Sequence, residues 1–387
     1  MTQALITPSV LEWARNRAFM TIDALSDKLS VKTEKIAMWE KGDAKPTFKQ
    51  AQNVAKALQV PFGYLFLTQP PEEALLIPDL RTIRDSAPQE ISATFRELLY
   101  EMDRKQQWYK EYVLESGELP LDFIGKFNIN TNSEEVIADI RNTLNWSSGF
   151  ASSANVKDEY IKEISLKAEA AGILIMRNSV LANNTHKHLY VSEFRGFAIS
   201  DKYAPLIFIN TADAKSAQIF TLAHELAHLW IGESGISSVD LHESEGNRIE
   251  KFCNKIAAEL LMPEREFATR WDASKSNENN CDYLATRFHV SIFATLRRAF
   301  DLNYISREVF YTLFAEAQRK FEEYQSTKPV SGGGDFFRTL KVRNSGIFSQ
   351  AVVTSALEGK LLYRDASALL NIKASKINDY AYKLGIR

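Results

Sequence analysis

Apolar residues recur at helical spacing along most of this chain, and the pattern predicts a multidomain protein that is mainly α-helical with a small sheet. Within residues 7–67, short apolar stripes separated by tight breaks predict a bundle of five short helices. Ser30 and Val31 form one break, and Gly42 follows the next stripe as a helix stop. Two helices joined by so tight a turn predict a helix-turn-helix, which we place in a domain at residues 1–68.

Residues 69–155 predict a helical linker or spacer. Pro70, Pro71 and Pro78 break helices. The apolar stripe over residues 91–113 and the shorter one over residues 134–144 predict two helices. We interpret both as structural, either as a spacer or as dimer-forming helices.

The pattern changes after residue 156, where short apolar runs bounded by Gly or Pro predict strands. These runs cover residues 172–176, 188–194, 196–200 and 205–210. A helix is predicted from about Asn210 to Ile231, and another over residues 248–262, closed by Pro263. With the helical pattern that continues to about Lys320, this indicates an α+β domain at residues 156–325.

The last block, residues 335–387, follows a flexible linker at residues 332–334 and predicts short helices. Its run over residues 363–385 has the length and the break position of a second helix-turn-helix. The pattern favours DNA binding and packing equally for this run.

Composition and charge narrow the function classes. The 387 residues predict two to four domains, and 45% hydrophobic with 25% charged residues is typical of a globular protein. Because the net charge is −2, nucleic-acid binding requires a locally basic face. Residues 1–67 supply one, since nine Lys/Arg against six Asp/Glu give a net charge of about +3.

The cellular setting follows from what the sequence lacks. Cys253 and Cys281 fit neither a metal-knuckle spacing nor a disulfide framework. The start of the chain has no apolar signal-peptide core, and no run of about 18 apolar residues occurs. We therefore expect a cytoplasmic protein with no membrane association.

The strongest chemical signal is the stretch TLAHELAHLW at residues 221–230. His224 and His228 are four residues apart, so a helix places both imidazoles on one face, where they can bind one metal ion. Glu225 lies beside the first histidine, near enough to contact a metal-bound water. This H-E-x-x-H arrangement is typical of zinc metallopeptidases and predicts Zn²⁺ as the cofactor. Because the motif helix follows predicted strands, we interpret residues 156–325 as a zincin-like α+β metallopeptidase domain.

A catalytic zinc takes three protein ligands, so a later element has to supply the third. The helix over residues 248–262 offers Glu250 and Glu259, which lie on opposite faces because they are nine residues apart. Glu250 borders the apolar face and is preferred. His242 and Glu245, in the preceding loop, are the weaker alternatives.

Glu225 is the predicted general base, taking a proton from the metal-bound water. A basic or hydroxyl side chain is also needed to stabilise the oxyanion. Tyr203, Arg195 and His242 are candidates, and the sequence does not choose among them.

In the first helix-turn-helix, Lys32, Thr33, Glu34 and Lys35 occupy the start of the second helix, where side chains meet bases and phosphates. They are the predicted DNA-binding residues, with an operator as the partner. Because a single helix-turn-helix usually binds DNA as a symmetric dimer, a homodimer is expected.

Two family resemblances extend this interpretation. Residues 25–58 resemble the Xre or lambda-repressor-like helix-turn-helix family, with Ser26 and Ser30 where that family often has Ala and Gly. Three blocks, at residues 193–201, 204–232 and 249–263, resemble the ImmA/IrrE family of zinc metallopeptidases. That resemblance implies an acid at Glu250 as the third ligand.

The second resemblance also implies the target. It indicates cleavage of a repressor or regulator protein, in mobile-element, stress or toxin–antitoxin control. The alternative is a non-proteolytic transcriptional regulator or antitoxin, whose zincin-like domain serves as a sensor or partner-binding platform. Retention of Glu225 favours the enzyme, because a structural zinc needs no base.

Overall fold

The computed structural model describes residues 3–18, 20–58, 60–71, 92–147, 156–237, 248–327 and 336–386, without the side chains of residues 321–327. The chain divides into two compact units, Met1–Asp103 and Arg104–Arg387. Pro78, the loop candidates His242 and Glu245, and the glycine linker at residues 332–334 lie outside the described residues. No helix in the described ranges combines the length and hydropathy that crossing a membrane requires.

The first unit begins with the predicted helical bundle. Its elements are α1 (Pro8–Arg17), α2 (Ile22–Leu29), α3 (Thr33–Lys41), α4 (Phe48–Leu58) and a 3-10 turn (Phe62–Phe66). Leu11, Leu25, Ile36, Trp39 and Val54 are buried in its core. The apolar stripes therefore close on one another, as their helical spacing predicts.

Local hydrogen bonds and backbone geometry fix the two ends of α2 and the contact between α1 and α3. The Thr21 hydroxyl accepts from the Ala24 amide at 3.1 Å and begins α2. Ser30 follows the last residue of that helix and lies in the left-handed region, with φ of 53°. The Xre-type family often has glycine at this position, where a left-handed conformation costs least. A two-fold contact of the Arg15 guanidinium with Glu40, at 2.7 and 3.0 Å, ties α1 to α3.

A long helix, α5 (Ala93–Glu115), leads from the first unit into the second. In its second half, Gln106 donates to the Ala204 carbonyl at 2.9 Å and Lys110 pairs with Asp201 at 2.6 Å. These contacts place this half of α5 beside the small sheet.

The sheet of the second unit has four strands in the order β1-β3-β2-β4: Leu174–Asn178 (β1), Gly196–Ile199 (β2), Leu206–Asn210 (β3) and Gly235–Ser237 (β4). β1 and β3 are parallel, and the other pairs are antiparallel. β1 and β3 are buried along their whole length, so the sheet forms one layer of the core.

Helices around this layer supply the rest of the core. They are α6 (Ser133–Thr143), α7 (Lys157–Ala170), α8 (Lys215–Ile231), α9 (Arg248–Leu261), α10 (Glu264–Arg270), α11 (Asn277–Arg287), α12 (Ile292–Asp301) and α13 (Arg307–Thr327). α8 crosses the centre, and every residue from Thr221 to Ile231 is buried. An amphipathic helix would expose one face, so this burial indicates packing on all sides.

The end of α8 is fixed by a close backbone approach. Gly232 has φ of 75°, and a Cβ there would lie 2.9 Å from the Gly125 Cα. The Gly125 and Phe127 amides donate to the Leu229 and Trp230 carbonyls, which a free helix end would leave without partners. The loop before α6 therefore caps the helix that carries the histidines.

The last helices are α14 (Phe336–Asn344), α15 (Gly346–Leu357), α16 (Tyr363–Leu370) and α17 (Ile377–Leu384). α14 and α15 pack against β1. Glu169, at the end of α7, accepts hydrogen bonds from the Ser345 hydroxyl and the Gly346 amide. This segment thus belongs to the second compact unit, and the domain boundaries drawn from the sequence stay predictions.

Two strand predictions differ from the structure. Residues 188–194 are not a strand, because the chain turns at residues 191–193 and only His188 makes a bridge, to Val180. The sequence also missed β4, which is three residues long and lies in the stretch interpreted as a loop. α8 begins at Lys215, five residues after the predicted start.

Candidate metal centre

α8 and α9 bring the three predicted ligands together. The His224 and His228 Nε2 atoms lie 3.0 Å apart, because the two residues are one turn apart on the same face. Glu250, in the first turn of α9, places Oε2 3.1 Å from the first imidazole and Oε1 3.3 Å from the second. Among the described residues, this is the group of three ligating side chains close enough to hold one ion.

The donor set fits a divalent metal. Two imidazole nitrogens and a carboxylate oxygen are the ligands of many catalytic zinc sites, and a tetrahedral ion with bonds of roughly 2.0–2.1 Å separates its ligand atoms by about 3.3 Å. The three separations seen here are 3.0, 3.1 and 3.3 Å. The cluster thus has the chemistry and the spacing of a three-ligand site.

Asn254 orients the first histidine. Its Oδ1 atom lies 2.9 Å from the His224 Nδ1, so the ring donates its Nδ1 proton and leaves the Nε2 lone pair facing the cluster. Asn254 is one turn after Glu250 on α9, and both therefore face α8. Sequence reasoning missed this role, although the four-residue spacing from Glu250 is a signal for a shared helix face.

Gly235, at the start of β4, lies against the second histidine. A Cβ at this position would be 3.0 Å from Cε1 and 3.2 Å from Nδ1 of His228. His228 Nδ1 is buried and has no hydrogen-bond partner among the described residues. The packing of β4 therefore sets the position of this ring, which the sequence gave no signal to predict.

The electrostatics reflect the juxtaposition of two imidazoles and an acid. Burial lowers the pKa of His224, but hydrogen bonding and charge attraction from Glu250 outweigh it, so that the pKa is raised. Burial raises the pKa of Glu250, but both histidines hold it well below its usual range. The carboxylate is therefore ionised at neutral pH, as a metal ligand needs to be.

Glu225 and Glu259 occupy different environments. Glu225 is fully buried, at 0% exposure, next to His224 in α8. Glu259 pairs with Arg298 and accepts from the Glu264 amide at the start of α10. The structure thus brings Glu250, not Glu259, to the imidazole pair.

Two of the three oxyanion candidates, Arg195 and Tyr203, lie within the described residues. Arg195 immediately precedes β2, and its Nε atom lies 3.7 Å from Oδ2 of Asp213, in the loop between β3 and α8. The Tyr203 amide donates to Asp201, in the loop that α5 contacts. His242 lies outside the described residues.

The DNA-binding candidates lie at the start of α3. Lys32, Glu34 and Lys35 are exposed to solvent. The Thr33 hydroxyl lies 3.2 Å from the Ser26 hydroxyl and is directed towards the turn. The exposed part of the predicted face therefore consists of two lysines and one glutamate.

Comparisons with known proteins match three stretches of the chain. The family model of the IrrE N-terminal-like domain matches residues 168–300, which include both histidines and Glu250. A helix-turn-helix model matches residues 11–65, and a domain of unknown function matches residues 344–383. The first two confirm the resemblances drawn from the sequence.

A curated relative supports the same assignment. The radiation response metalloprotease IrrE of Deinococcus radiodurans is 36% identical over 97 residues, which are 24% of this chain and 29% of that protein. The match thus spans under a third of the relative's length. Residues 168–300 are therefore similar to the IrrE N-terminal-like domain, and residues 11–65 are similar to a helix-turn-helix domain.

Proposed function

We propose that this protein is a DNA-binding regulator with zinc-dependent endopeptidase activity. The observation that carries the proposal is the convergence of His224, His228 and Glu250 beside the fully buried Glu225. Three protein ligands leave one coordination position open, as in catalytic rather than structural zinc sites. A bound zinc ion would acidify water and polarise a peptide carbonyl.

The side chains of this chain divide the remaining work. His224, His228 and Glu250 would hold the ion, and Asn254 keeps His224 in the tautomer that presents Nε2. The Glu225 carboxylate accepts a proton from the attacking water and delivers it to the leaving amine. Glu225 is fully buried, so its carboxylate is shielded from bulk solvent.

The edge of the sheet supports binding of an extended peptide. β4 is an edge strand in the order β1-β3-β2-β4, and it begins at Gly235 beside the His228 ring. An added substrate strand would gain main-chain hydrogen bonds along β4. Its scissile bond would then lie next to the metal ligands.

The amino-terminal domain gives the activity a location. Lys32 and Lys35 would contact an operator, with the protein acting as a homodimer on symmetric half-sites. A protease held at DNA meets repressors and other regulators at high local concentration. We therefore propose a repressor or regulator protein as the substrate, in mobile-element, stress or toxin–antitoxin control.

The test compares cells that express the wild type, Glu225→Gln or Glu233→Gln. New protein amino-termini are mapped in each by mass spectrometry. The proposal expects new amino-termini in a regulator protein with the wild type and with Glu233→Gln, which changes an acid just beyond α8. They should disappear with Glu225→Gln, which keeps the metal ligands.

The same cells distinguish the endopeptidase from the non-proteolytic alternative. If the three proteins produce the same amino-termini and regulate their own promoter identically, the endopeptidase proposal fails. The zincin-like domain would then be a sensor or partner-binding platform. Loss of promoter regulation in Lys32→Ala/Lys35→Ala alone would still support the DNA-binding half.

A further inference from the structure

The carboxyl-terminal segment repeats the turn of the amino-terminal helix-turn-helix. α16 ends at Asn371, whose φ and ψ of 55° and 42° match the 53° and 45° of Ser30 after α2. The next amide donates five residues back in each unit, from Ile372 to Ser367 at 3.2 Å and from Val31 to Ser26 at 3.1 Å. The two turns thus have the same backbone.

The side chains inside the two turns also match. Ser26 donates its hydroxyl to the Val31 carbonyl, and Ser367 donates to the Ile372 carbonyl, each at 2.5 Å. Ile36 and Ile377 are buried ten residues after these serines. Trp39 and Tyr380 are buried three residues later, so the second helix of each unit packs through the same positions.

Two lysines stand at equivalent positions in both units, although Ser375 replaces Glu34 between them and a 3-10 turn (Ala374–Lys376) precedes α17. Lys32 and Lys35 follow Ser26 by six and nine residues, and Lys373 and Lys376 follow Ser367 by the same intervals. All four lysines are exposed. We propose that residues 363–385 form a second helix-turn-helix that binds duplex DNA through Lys373 and Lys376.

A third turn of this kind shows what distinguishes a binding unit from a packing unit. His289, between α11 and α12, has φ of 59°, and the Val290 amide donates to Ala285 at 3.1 Å. Here Ser291 and Ala294 stand where the other two units have lysines.

This middle unit packs inside the protein. The Phe293 ring lies 5.1 Å from the Phe314 ring of α13. Phe293 also borders an apolar cavity of about 240 Å³ that Leu313 and Ala317 of α13 line from the other side. The start of α12 is therefore engaged with α13. The same turn therefore occurs in a packed unit that has no lysines at these two positions, unlike the two units that expose them.

α17 packs against α14 and α15 on one face and is exposed to solvent on the other. The Tyr380 hydroxyl donates to the Ser349 hydroxyl of α15 at 2.9 Å, and the Tyr380 ring stacks on Phe337 of α14. The opposite face exposes Ser375, Asn378 and Tyr382, the last at 80%. α17 is thus held on one side and presents polar side chains on the other.

Charge favours a polyanion on this face. Residues 363–385 contain four Lys/Arg and two Asp/Glu, a net charge of +2 in a chain of −2. Asp379 lies on the exposed face and pairs with Lys376 at 2.8 Å. Because this pair is exposed, a phosphate can replace the carboxylate at little cost.

Geometry favours DNA over RNA. The major groove of B-form DNA admits an α-helix, whereas that of an A-form RNA helix is too narrow. The proposed ligand is therefore duplex DNA. Lys373 and Lys376 would contact its phosphates, and Ser375 and Asn378 would face its bases.

The test measures binding of the full chain to a fluorescent 30-base-pair DNA duplex of mixed sequence, by anisotropy at several salt concentrations. Lys373→Glu/Lys376→Glu is introduced into the wild type and into Lys32→Glu/Lys35→Glu, which weakens the first unit. We expect Kd to rise roughly tenfold or more in both backgrounds, and the salt slope to fall by up to about 2, since each lost phosphate contact contributes about 0.9.

Two further variants make the result specific. Asp379→Asn removes the ion pair with Lys376 and should lower Kd. Because Asp379 is exposed, this change leaves the buried side chains of α17 in place. Lys162→Glu/Arg265→Glu makes the same charge change on exposed positions of α7 and α10 and should move Kd much less. Equal effects of this control and of Lys373→Glu/Lys376→Glu, or tighter binding to an RNA duplex of the same sequence, would overturn the proposal.

Discussion

At the scale of single residues, the metal centre depends on how two imidazole rings are held. Asn254 fixes His224 through Nδ1, and the ring of His228 is confined by the backbone at Gly235. Glu250 contacts both rings from α9. Asn254 and Gly235 each act through one of the predicted metal ligands. Replacing either residue should therefore lower metal affinity while the fold is retained.

The first prediction concerns Asn254. Asn254→Leu removes the acceptor for His224 Nδ1 and should weaken metal binding roughly 10- to 100-fold. Asn254→Asp retains an acceptor and should therefore bind zinc much more tightly than Asn254→Leu. The measurement is competition for zinc with a chromophoric chelator, and equal affinity of Asn254→Leu and wild type would refute the assigned role.

The second prediction concerns Gly235. In Gly235→Ala the new methyl group meets the His228 ring at 3.0–3.2 Å, so the ring or β4 has to move by a few tenths of an ångström. We expect lower zinc affinity in the same chelator assay. Gly63→Ala is the matched control, because nothing lies within 4 Å of a Cβ there; if both variants bind zinc like the wild type, the packing argument is wrong.

At the scale of elements, α8 is positioned by its contact with the sheet as much as by its own sequence. Gly196 of β2 faces Thr221, and a Cβ there would lie 2.6 Å from the threonine Cγ2 and 2.9 Å from the Phe208 carbonyl oxygen. The helix therefore approaches the sheet closely three residues before His224. This approach sets the height of the ligands above β2.

A third prediction follows at this scale. Gly196→Ala overpacks the α8–β2 contact and should lower the free energy of unfolding by about 1–3 kcal/mol. Thr221→Ser removes the nearest methyl group, so the double variant should regain part of the loss. Urea denaturation measures both, and strictly additive losses would show that the two side chains do not meet.

The elements that could be predicted are those whose pattern is local. The spacing of His224 and His228, and the preference for Glu250 over Glu259, follow from one turn of helix and from a buried face. Residues 188–194 were predicted as a strand because Leu189, Val191 and Phe194 are apolar. Strand pairing is set by distant partners, and Phe194 instead accepts from the Asn210 side chain.

The missed features are also non-local. β4 is too short for a period-two pattern, and it forms only because it pairs with β2. Gly235 is informative only once the His228 ring is known to lie against it. Asn254 was visible as a neighbour of Glu250, but its hydrogen bond requires the contact between α8 and α9.

At the scale of the whole molecule, the carboxyl-terminal helices are joined to the core of the second unit through a buried carboxylate. Glu169 accepts from Ser345 and Gly346, at the junction of α14 and α15. Burial raises the pKa of Glu169 above its ordinary value of 4.5, against hydrogen bonds from Ser345 and Gly346 and the charges of Lys341 and Arg177 that lower it. Folding therefore favours the protonated form of Glu169 more than the unfolded chain does.

The fourth prediction is the resulting pH dependence. A carboxyl whose folded-state pKa is raised contributes stability below about pH 4.5, which is lost as the pH rises through the folded pKa. The unfolding free energy of the wild type minus that of Glu169→Gln should therefore fall as the pH rises from 4 to 7. Urea denaturation at each pH measures it, and a difference that rises with pH would contradict the shift.

The central claim is that His224, His228 and Glu250 hold one catalytic metal ion, and elemental analysis of the purified chain tests it most directly. Zinc per chain should be about one in the wild type and in Glu225→Gln. It should be lost in His224→Ala/His228→Ala, largely lost in Glu250→Ala, and retained in Glu259→Gln, which changes the acid on the opposite face of α9. A wild type without metal, or zinc that depends on Glu259 and not on Glu250, would contradict the account.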